Sequence, residues 1–216
     1  MDFIDSMKQR RSIRAFERRM PPRELIAECL EAASWAPSAT NQQPWEFIVL
    51  TGPDLEAVNA ITEEKFFERI GAGDAFGSPP EPLRSRQQEV LDAMIAAAER
   101  AGIDPNDIFE KSLRFFDAPV AVYFVSHRDG GGQYAMSTAA AVQNFLLAAH
   151  ARGLGACWLT VTVICAEDIR QHLALAPDLD IVAGVALGYP AQDAELNRFP
   201  RVRAPLDDVT TWLGFK

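Results

Sequence analysis

The sequence predicts one domain in which helices and strands alternate along the chain. Four short apolar runs have the length and composition of strands, and the segments between them carry apolar residues at helical spacing. A chain of 216 residues that is 48% hydrophobic is long enough to bury one large core. We therefore expect residues 1–216 to form a single domain of mixed helix and strand.

The predicted strands cover residues 45–50, 119–126, 156–163 and 181–188. In the first, apolar and polar positions alternate in part, which is typical of a half-buried strand. The second, Pro-Val-Ala-Val-Tyr-Phe-Val-Ser, is apolar almost throughout and is expected to be central in the sheet.

Helical spacing of apolar residues predicts helices over residues 2–9, 23–35, 55–70, 83–100, 137–152 and 167–173. The second of these begins after a Pro-Pro pair and ends before Pro37. Residues 103–116 fit neither pattern. The helix over 137–152 is apolar nearly all round, so we expect it to be buried on most sides. It is either a central core helix or part of a subunit interface.

Two glycine-rich segments are predicted to be loops. Residues 71–82 contain three glycines and three prolines. Residues 130–132 are Gly-Gly-Gly, without the spacing of a dinucleotide or Walker phosphate loop. Residues 65–117 form an insertion between two strands, which is expected to act as a lid, an arm around a partner, or a surface appendage.

Charge is distributed unevenly. The net charge is -9, which disfavours general binding of nucleic acid. Residues 8–23 nevertheless contain seven Lys and Arg residues against one acid, Glu17. A basic island on an acidic chain suggests a small anion such as a phosphate, although a solvated helix end explains the arginines equally well.

A polar turn is predicted between the second helix and the first strand. Residues 36–45 read Ala-Pro-Ser-Ala-Thr-Asn-Gln-Gln-Pro-Trp and offer many hydrogen-bonding groups. Such groups suit a polar heterocycle or a polyol. Together with the basic island, the turn predicts a site for a phosphorylated cofactor.

No side-chain motif for metal binding or hydrolysis is found. The three histidines are scattered, and Cys29, Cys157 and Cys165 lack metal or redox spacing. Three unpaired thiols, no signal-peptide pattern and no apolar run of membrane-spanning length predict a cytoplasmic protein without membrane contact. A chain without its own reactive group is expected to use a cofactor.

Five segments, in this order, resemble the nitroreductase superfamily of FMN-dependent flavoproteins. They are Arg-Arg-Ser-Ile-Arg-Ala-Phe at 10–16, the polar turn at 36–45, Gly-Leu-Gly-Ala-Cys-Trp-Leu-Thr at 153–160, Leu-Gly-Tyr-Pro at 187–190 and Arg-Ala-Pro-Leu at 203–206. The resemblance implies an α+β fold of three α/β/α layers, with a mostly antiparallel sheet of four or five strands. It also implies an intertwined homodimer with FMN at the interface.

The resemblance assigns the polar end of FMN to arginines and a hydroxyl. Arg10, Ser12 and Arg14 would contact the phosphate, the ribityl chain and the pyrimidine edge. Arg11 would be a neighbour, and Arg203 would close on the phosphate. Planar guanidinium groups suit a dianionic phosphate because they bind two oxygens at once.

The flavin ring would lie between two other segments. Trp158, Leu159 and Thr160 would run beside the isoalloxazine, with a backbone N–H near N5. The residues expected from the second subunit are Pro37, Ser38 and Asn41. Gln43 and Gln143 either face the flavin or satisfy backbone groups.

The resemblance implies that NADH or NADPH gives hydride to FMN transiently, and that a nitroaromatic or quinone is then reduced by a ping-pong mechanism. No protein side chain is assigned as catalytic. A Thr160 hydroxyl beside N5 would suit the dehalogenating branch of the superfamily, which is an alternative. A flavin-storing or flavin-sensing dimer without efficient turnover is a second alternative. A third is an enzyme without flavin that binds a nucleotide or a phosphosugar.

Overall fold

A four-stranded antiparallel sheet lies between two layers of helices in the computed structural model, which describes residues 2–71 and 79–215. The strands are β1 (Trp45–Leu50), β2 (Val120–His127), β3 (Gly155–Leu159) and β4 (Leu179–Gly188). Their order is β1-β2-β4-β3, and every neighbouring pair is antiparallel. The expected α+β fold with an antiparallel sheet is confirmed.

The helices are α1 (Phe3–Gln9), α2 (Arg23–Ser34), α3 (Gly52–Ile70), α4 (Leu83–Arg100), α5 (Pro105–Leu113), α6 (Gly131–Ala151), α7 (Val161–Ile164) and α8 (Ala166–His172). α2 and α6 pack together on one face of the sheet. On the other face lie α3, α5, α7 and α8, and α4 packs outside them against α5. No helix in the described ranges is long and apolar enough to span a bilayer.

β2 is central, as its sequence predicts. Its side chains alternate between the two helical layers because successive residues of a strand point to opposite faces. Val122 and Phe124 join the cluster under α2 and α6, whereas Tyr123 and Val125 join the cluster on the opposite face. All four are completely buried. Burial on both faces explains why this strand is apolar at nearly every position.

The ambiguous segment 103–116 is mostly helical. α5 begins at Pro105, whose missing N–H costs nothing in the first turn. Asp104 caps the helix by accepting a hydrogen bond from the Asn106 N–H at 2.9 Å. A short turn, Phe115–Asp117, then leads into β2.

Two predictions from the sequence are wrong. The third strand ends at Leu159 rather than at residue 163, because Val161–Ile164 forms a helical turn. β-branched residues favour strands, but here Val161 and Thr162 are buried as part of that turn. The Gly-Gly-Gly segment is not a loop through its length, since α6 begins at Gly131. Glycine has a low helix propensity, which hides this start in the sequence.

α6 is fully buried on one side and mostly half-buried on the other within a single chain. Ala141 and Phe145 are completely buried in the cluster beneath it. On the opposite side Gln143 is exposed, and Met136 is 68% exposed. Because Gln143 is the one exposed position among residues 137–150, the expectation that this helix is buried on most sides is met over that range, and the exposed surface lies at its two ends. Of the 71–82 loop, residues 72–78 lie outside the described residues.

Candidate functional site

The first half of the basic island lies along the outer edge of the sheet. The Ile13 N–H donates to the carbonyl of Ala156 on β3 at 3.1 Å, and the Glu17 N–H donates to Tyr189 at 2.9 Å. Ile13 is buried, and a Cβ at residue 155 would lie 2.7 Å from its side chain, so this close approach requires Gly155. The sheet edge thus fixes the backbone of residues 10–17.

Asn197 holds the same segment from the other side. Its Oδ1 accepts hydrogen bonds from the Arg14 N–H at 2.8 Å and from the Ala15 N–H at 3.1 Å. Its Nδ2 donates to the carbonyls of Ala15 at 2.8 Å and of Ala191 at 3.4 Å. Asn197 is 7% exposed, so this amide replaces water for several backbone groups. No local pattern in the sequence singles out Asn197.

The C-terminal segment returns to the basic island through arginine side chains. Arg11 donates to the carbonyl of Phe199, and Arg201 donates to the carbonyls of Arg10 and Lys8. A cavity of about 160 Å³ lies between the two segments. It is lined by Arg10, Arg11, Ser12, Arg14, Val90, Phe199, Arg201 and Arg203. The predicted phosphate residues are therefore brought together, and Val90, Phe199 and Arg201 are additions that the sequence analysis missed.

The five arginines of this cavity lack nearby acids. No carboxylate in the described part of the chain lies within 4.0 Å of any of them. Burial, followed by the charges of Arg201 and Arg203, lowers the pKa of Arg10. Burial and then the charges of Arg201 and Arg14 likewise lower the pKa of Arg11. Because guanidinium groups stay charged at neutral pH, the cavity is a strongly positive site that suits a dianion.

Arg14 is held against aromatic rings. Its guanidinium carbon lies 5.5 Å from the ring centre of Phe199 and 6.0 Å from that of Phe116. One of its nitrogens donates to the Ser12 carbonyl at 3.3 Å. These contacts restrict the side chain, which favours a defined direction for its charge.

The end of β3 is on the same edge of the sheet. Ser12 forms an isolated parallel β-bridge with Ala156 on β3. Trp158 follows Ala156 by two residues, which is about 7 Å along a strand. Trp158 is 38% exposed, and Thr160 is also exposed, whereas Leu159 is buried. The predicted ring-binding segment thus has exposed groups near the arginine cavity.

The polar turn is a separate feature of the single chain. Ser38 Oγ accepts from the Gln43 N–H at 3.0 Å, and Thr40 and Asn41 have positive φ angles of 48° and 57°. Pro37 and Asn41 are exposed. Among the described residues, no hydrogen bond or cavity joins this turn to the arginines.

The arginine cavity adjoins a larger cleft. Val90 and Arg203 line both, and the cleft encloses about 800 Å³ between α4 and residues 200–209. A phosphate in the small cavity would leave room for an attached organic group. In the ranges 2–71 and 79–215, no group of His, Cys, Asp and Glu is arranged to hold a metal ion.

The family model that matches this chain is that of the nitroreductase family, over residues 7–189. A chloronitrobenzene nitroreductase of Comamonas testosteroni is 30% identical over 220 residues, covering 98% of this chain and 97% of the relative. A nitrobenzene nitroreductase of Ectopseudomonas oleovorans is 29% identical over 220 residues, with the same coverage.

Solved structures agree with these sequence matches. The crystal structure of the FMN and NADPH-dependent nitroreductase NfnB from Sphigopyxis sp. strain HMH superposes with a TM-score of 0.88. It is 29% identical in sequence, and the match covers 100% of both chains.

Proposed function

This chain belongs to the nitroreductase family, and we propose that it is an FMN-dependent oxidoreductase that uses NADH or NADPH to reduce nitroaromatics or other electron-poor small molecules such as quinones. The observation that supports this most directly is the cavity of five arginines without a neighbouring acid. The chain's relatives include a chloronitrobenzene nitroreductase and an FMN and NADPH-dependent nitroreductase.

The arginine cavity fits the phosphate of FMN. The two negative charges of the phosphate would offset the mutual repulsion of the guanidinium groups. The phosphate oxygens would also accept charge-assisted hydrogen bonds from them. Arg10 and Arg203 would hold the phosphate, with Arg11 beside it and the Ser12 hydroxyl at the ribityl chain. Arg201 joins this set because it lines the same cavity.

The end of β3 would position the flavin ring. Trp158, Leu159 and Thr160 would lie beside the isoalloxazine, with the Thr160 N–H near N5. Arg14 would place its charge at the pyrimidine end, where a cation stabilises the electron density that reduction adds. When bound, FMN supplies the redox chemistry, and the protein binds it, orients it and excludes water.

The homodimer is also a proposal. Exposed apolar side chains occur on α1, on α6 and in the C-terminal tail, where Phe3, Met136 and Trp212 are between 60% and 68% exposed. A second copy would cover such a surface. It would also bring Pro37, Ser38 and Asn41 of one chain to the flavin site of the other.

Donor and acceptor would use one site in turn, in a ping-pong sequence. The nicotinamide nucleotide would bind first and leave oxidised, and a small aromatic acceptor would then take its place.

Residues 65–117, which include α4 and α5, would form an excursion of the single domain beside this site. Val90 on α4 supports that placement, since it lines the arginine cavity. A cytoplasmic location is proposed from the three free, buried cysteines.

The test is the visible absorption spectrum of the purified protein under anaerobic conditions. We expect a yellow flavin spectrum that bleaches within seconds of adding NADPH or NADH and recovers when nitrobenzene is added. Slow bleaching would instead favour flavin storage. A protein that stays colourless after incubation with FMN would contradict the proposed function.

A further inference from the structure

The Thr162 hydroxyl lies beneath the turn that follows β3. Thr162 is completely buried, and its Oγ1 donates to the carbonyl of Leu159 at 3.0 Å. On β4, opposite Leu159, residue 184 is glycine, and a Cβ there would lie 2.2 Å from this Oγ1. Gly184 therefore provides the space in which the hydroxyl sits.

The hydroxyl has little freedom to move. A ring carbon of Tyr123 and one of Phe115 lie 3.1 and 3.2 Å from the position that a Cβ on residue 184 would occupy. Thr162 is thus enclosed by β4 and by two buried aromatic side chains. Because the side chain is β-branched as well as enclosed, its rotamer is restricted. The hydrogen bond to Leu159 is consequently a fixed feature of the turn.

The sheet register determines the direction of the peptide group that joins Leu159 to Thr160. The Ala156 carbonyl accepts from Ile13, so it faces away from β4. Successive residues of a strand face opposite edges, which turns the Leu159 carbonyl towards β4 and Thr162. In a trans peptide the N–H points opposite to the carbonyl, so the Thr160 N–H points outward from the sheet edge.

This outward N–H is unpaired. No backbone carbonyl in the described ranges accepts from Thr160, although its own carbonyl accepts from the Val163 N–H at 3.0 Å. It lies on the edge that also holds Ser12, one wall of the arginine cavity. An unpaired donor at this place is available to a ligand that extends from the cavity along β3.

We propose that Thr162 is a positioning residue that holds the Thr160 N–H as a hydrogen-bond donor to the flavin ring. The proposal rests on the proposed function, because the acceptor is the ring nitrogen N5. The Thr162 hydroxyl adds a hydrogen bond on the inner side of the Leu159 carbonyl, next to the strand pair of Leu159 with Gly184, and so restricts rotation of the peptide. The donor is then already oriented when charge increases on the ring, and no reorganisation is needed.

The test compares Thr162→Val, which removes the hydroxyl but keeps the branched shape, with Thr162→Ser, which keeps the hydroxyl. Two measurements use the FMN-loaded proteins: the nitrogen resonance of FMN labelled with 15N at N5, and hydrogen exchange at the Thr160 amide. Reduction of the bound flavin by NADPH is followed by stopped flow. We expect Thr162→Val to shift the N5 resonance, to speed exchange of the amide about tenfold and to slow reduction by a similar factor. Thr162→Ser should restore all three.

Thr62→Val is the matched control. Thr62 is also completely buried, and its Oγ1 donates to the Val58 carbonyl at 3.1 Å within α3. This variant should lose stability without changing the N5 resonance. A wild-type N5 resonance and amide exchange in Thr162→Val would overturn the positioning role alone. Failure of the wild-type protein to bind FMN would overturn both this role and the proposed function.

Discussion

Asn197 binds Ala15 through both polar groups of the Ala15 backbone. Its Oδ1 accepts from the Ala15 N–H at 3.1 Å, and its Nδ2 donates to the Ala15 carbonyl at 2.8 Å. The two residues are 182 positions apart in the chain. One buried amide therefore connects the arginine-rich N-terminal segment to the segment that supplies Arg201 and Arg203.

Removing this amide should loosen the arginine cavity. Asn197→Ala leaves the part-buried backbone N–H groups of Arg14 and Ala15 without their acceptor, which should lower the free energy of unfolding by about 3 kcal/mol. FMN affinity should fall as well, because the arginines lose their fixed backbone. Urea unfolding and FMN titration measure the two effects. Asn106→Ala, at an exposed position of α5, should change neither.

Loss of Arg203 should weaken binding through the phosphate. Arg203→Ala is expected to raise the dissociation constant of FMN about 10- to 100-fold, since a charge-assisted hydrogen bond contributes about 1.5–3 kcal/mol. Riboflavin, which lacks the phosphate, should bind the wild-type protein and Arg203→Ala with equal affinity. The control is Arg198→Ala, because Arg198 pairs with the exposed Asp193 and does not line the cavity. Unchanged FMN affinity in Arg203→Ala would refute the phosphate assignment.

Acid should weaken one link between α3 and α8. Hydrogen bonds from Arg69, at 2.6 and 2.9 Å, hold the pKa of Asp168 below its ordinary value of 3.8, although partial burial opposes this. A lowered pKa in the folded state stabilises the protein above pH 3.8, and this contribution is lost as the pH falls through the folded-state value.

Asp168→Asn should therefore lower the urea midpoint at pH 7, and the difference from wild type should shrink below pH 3.8. Urea unfolding at both pH values measures it. Asp193→Asn, in an exposed pair, should have little effect at either pH. A difference between wild type and Asp168→Asn that is equally large at pH 3 and pH 7 would contradict the assignment.

The cysteines should be unreactive in the folded protein. Burial raises the pKa of Cys29 and of Cys165 to about 11, and burial also raises the pKa of Cys157. At pH 8 only about one thiol in a thousand of the first two would be ionised. A thiol reagent at pH 8 should therefore label none quickly, and all three after unfolding. Fast labelling of one cysteine in the native state would contradict this.

Flavin binding should depend on association of two chains. If Ser38 and Asn41 act across an interface, dilution to monomers should release FMN, as followed by sedimentation and flavin fluorescence. Met136→Lys, on the exposed side of α6, should raise the concentration at which this occurs at least about tenfold. Met136→Leu should behave like wild type. A monomer that retains FMN would exclude a contribution from the second chain.

The amino-acid sequence alone determined the features that depend on neighbours along the chain. The apolar run of β2 predicted its central place, and most of the strands and helices, though not α5 or α7, were predicted near their observed positions. The closely spaced Arg10, Arg11 and Arg14 predicted an anion site, because charges a few residues apart must share a region of the surface.

Only the tertiary structure decided which distant residues complete that site. Arg201 and Asn197 meet the N-terminal segment because the C-terminal chain folds back along the sheet edge, and no local pattern encodes that return. Residues 161–164 have the composition of a strand, yet packing of Thr162 against Gly184 makes them a helical turn. Local propensity favours an element by about 1 kcal/mol or less per residue, whereas buried contacts between distant residues contribute more, so the fold overrides the pattern.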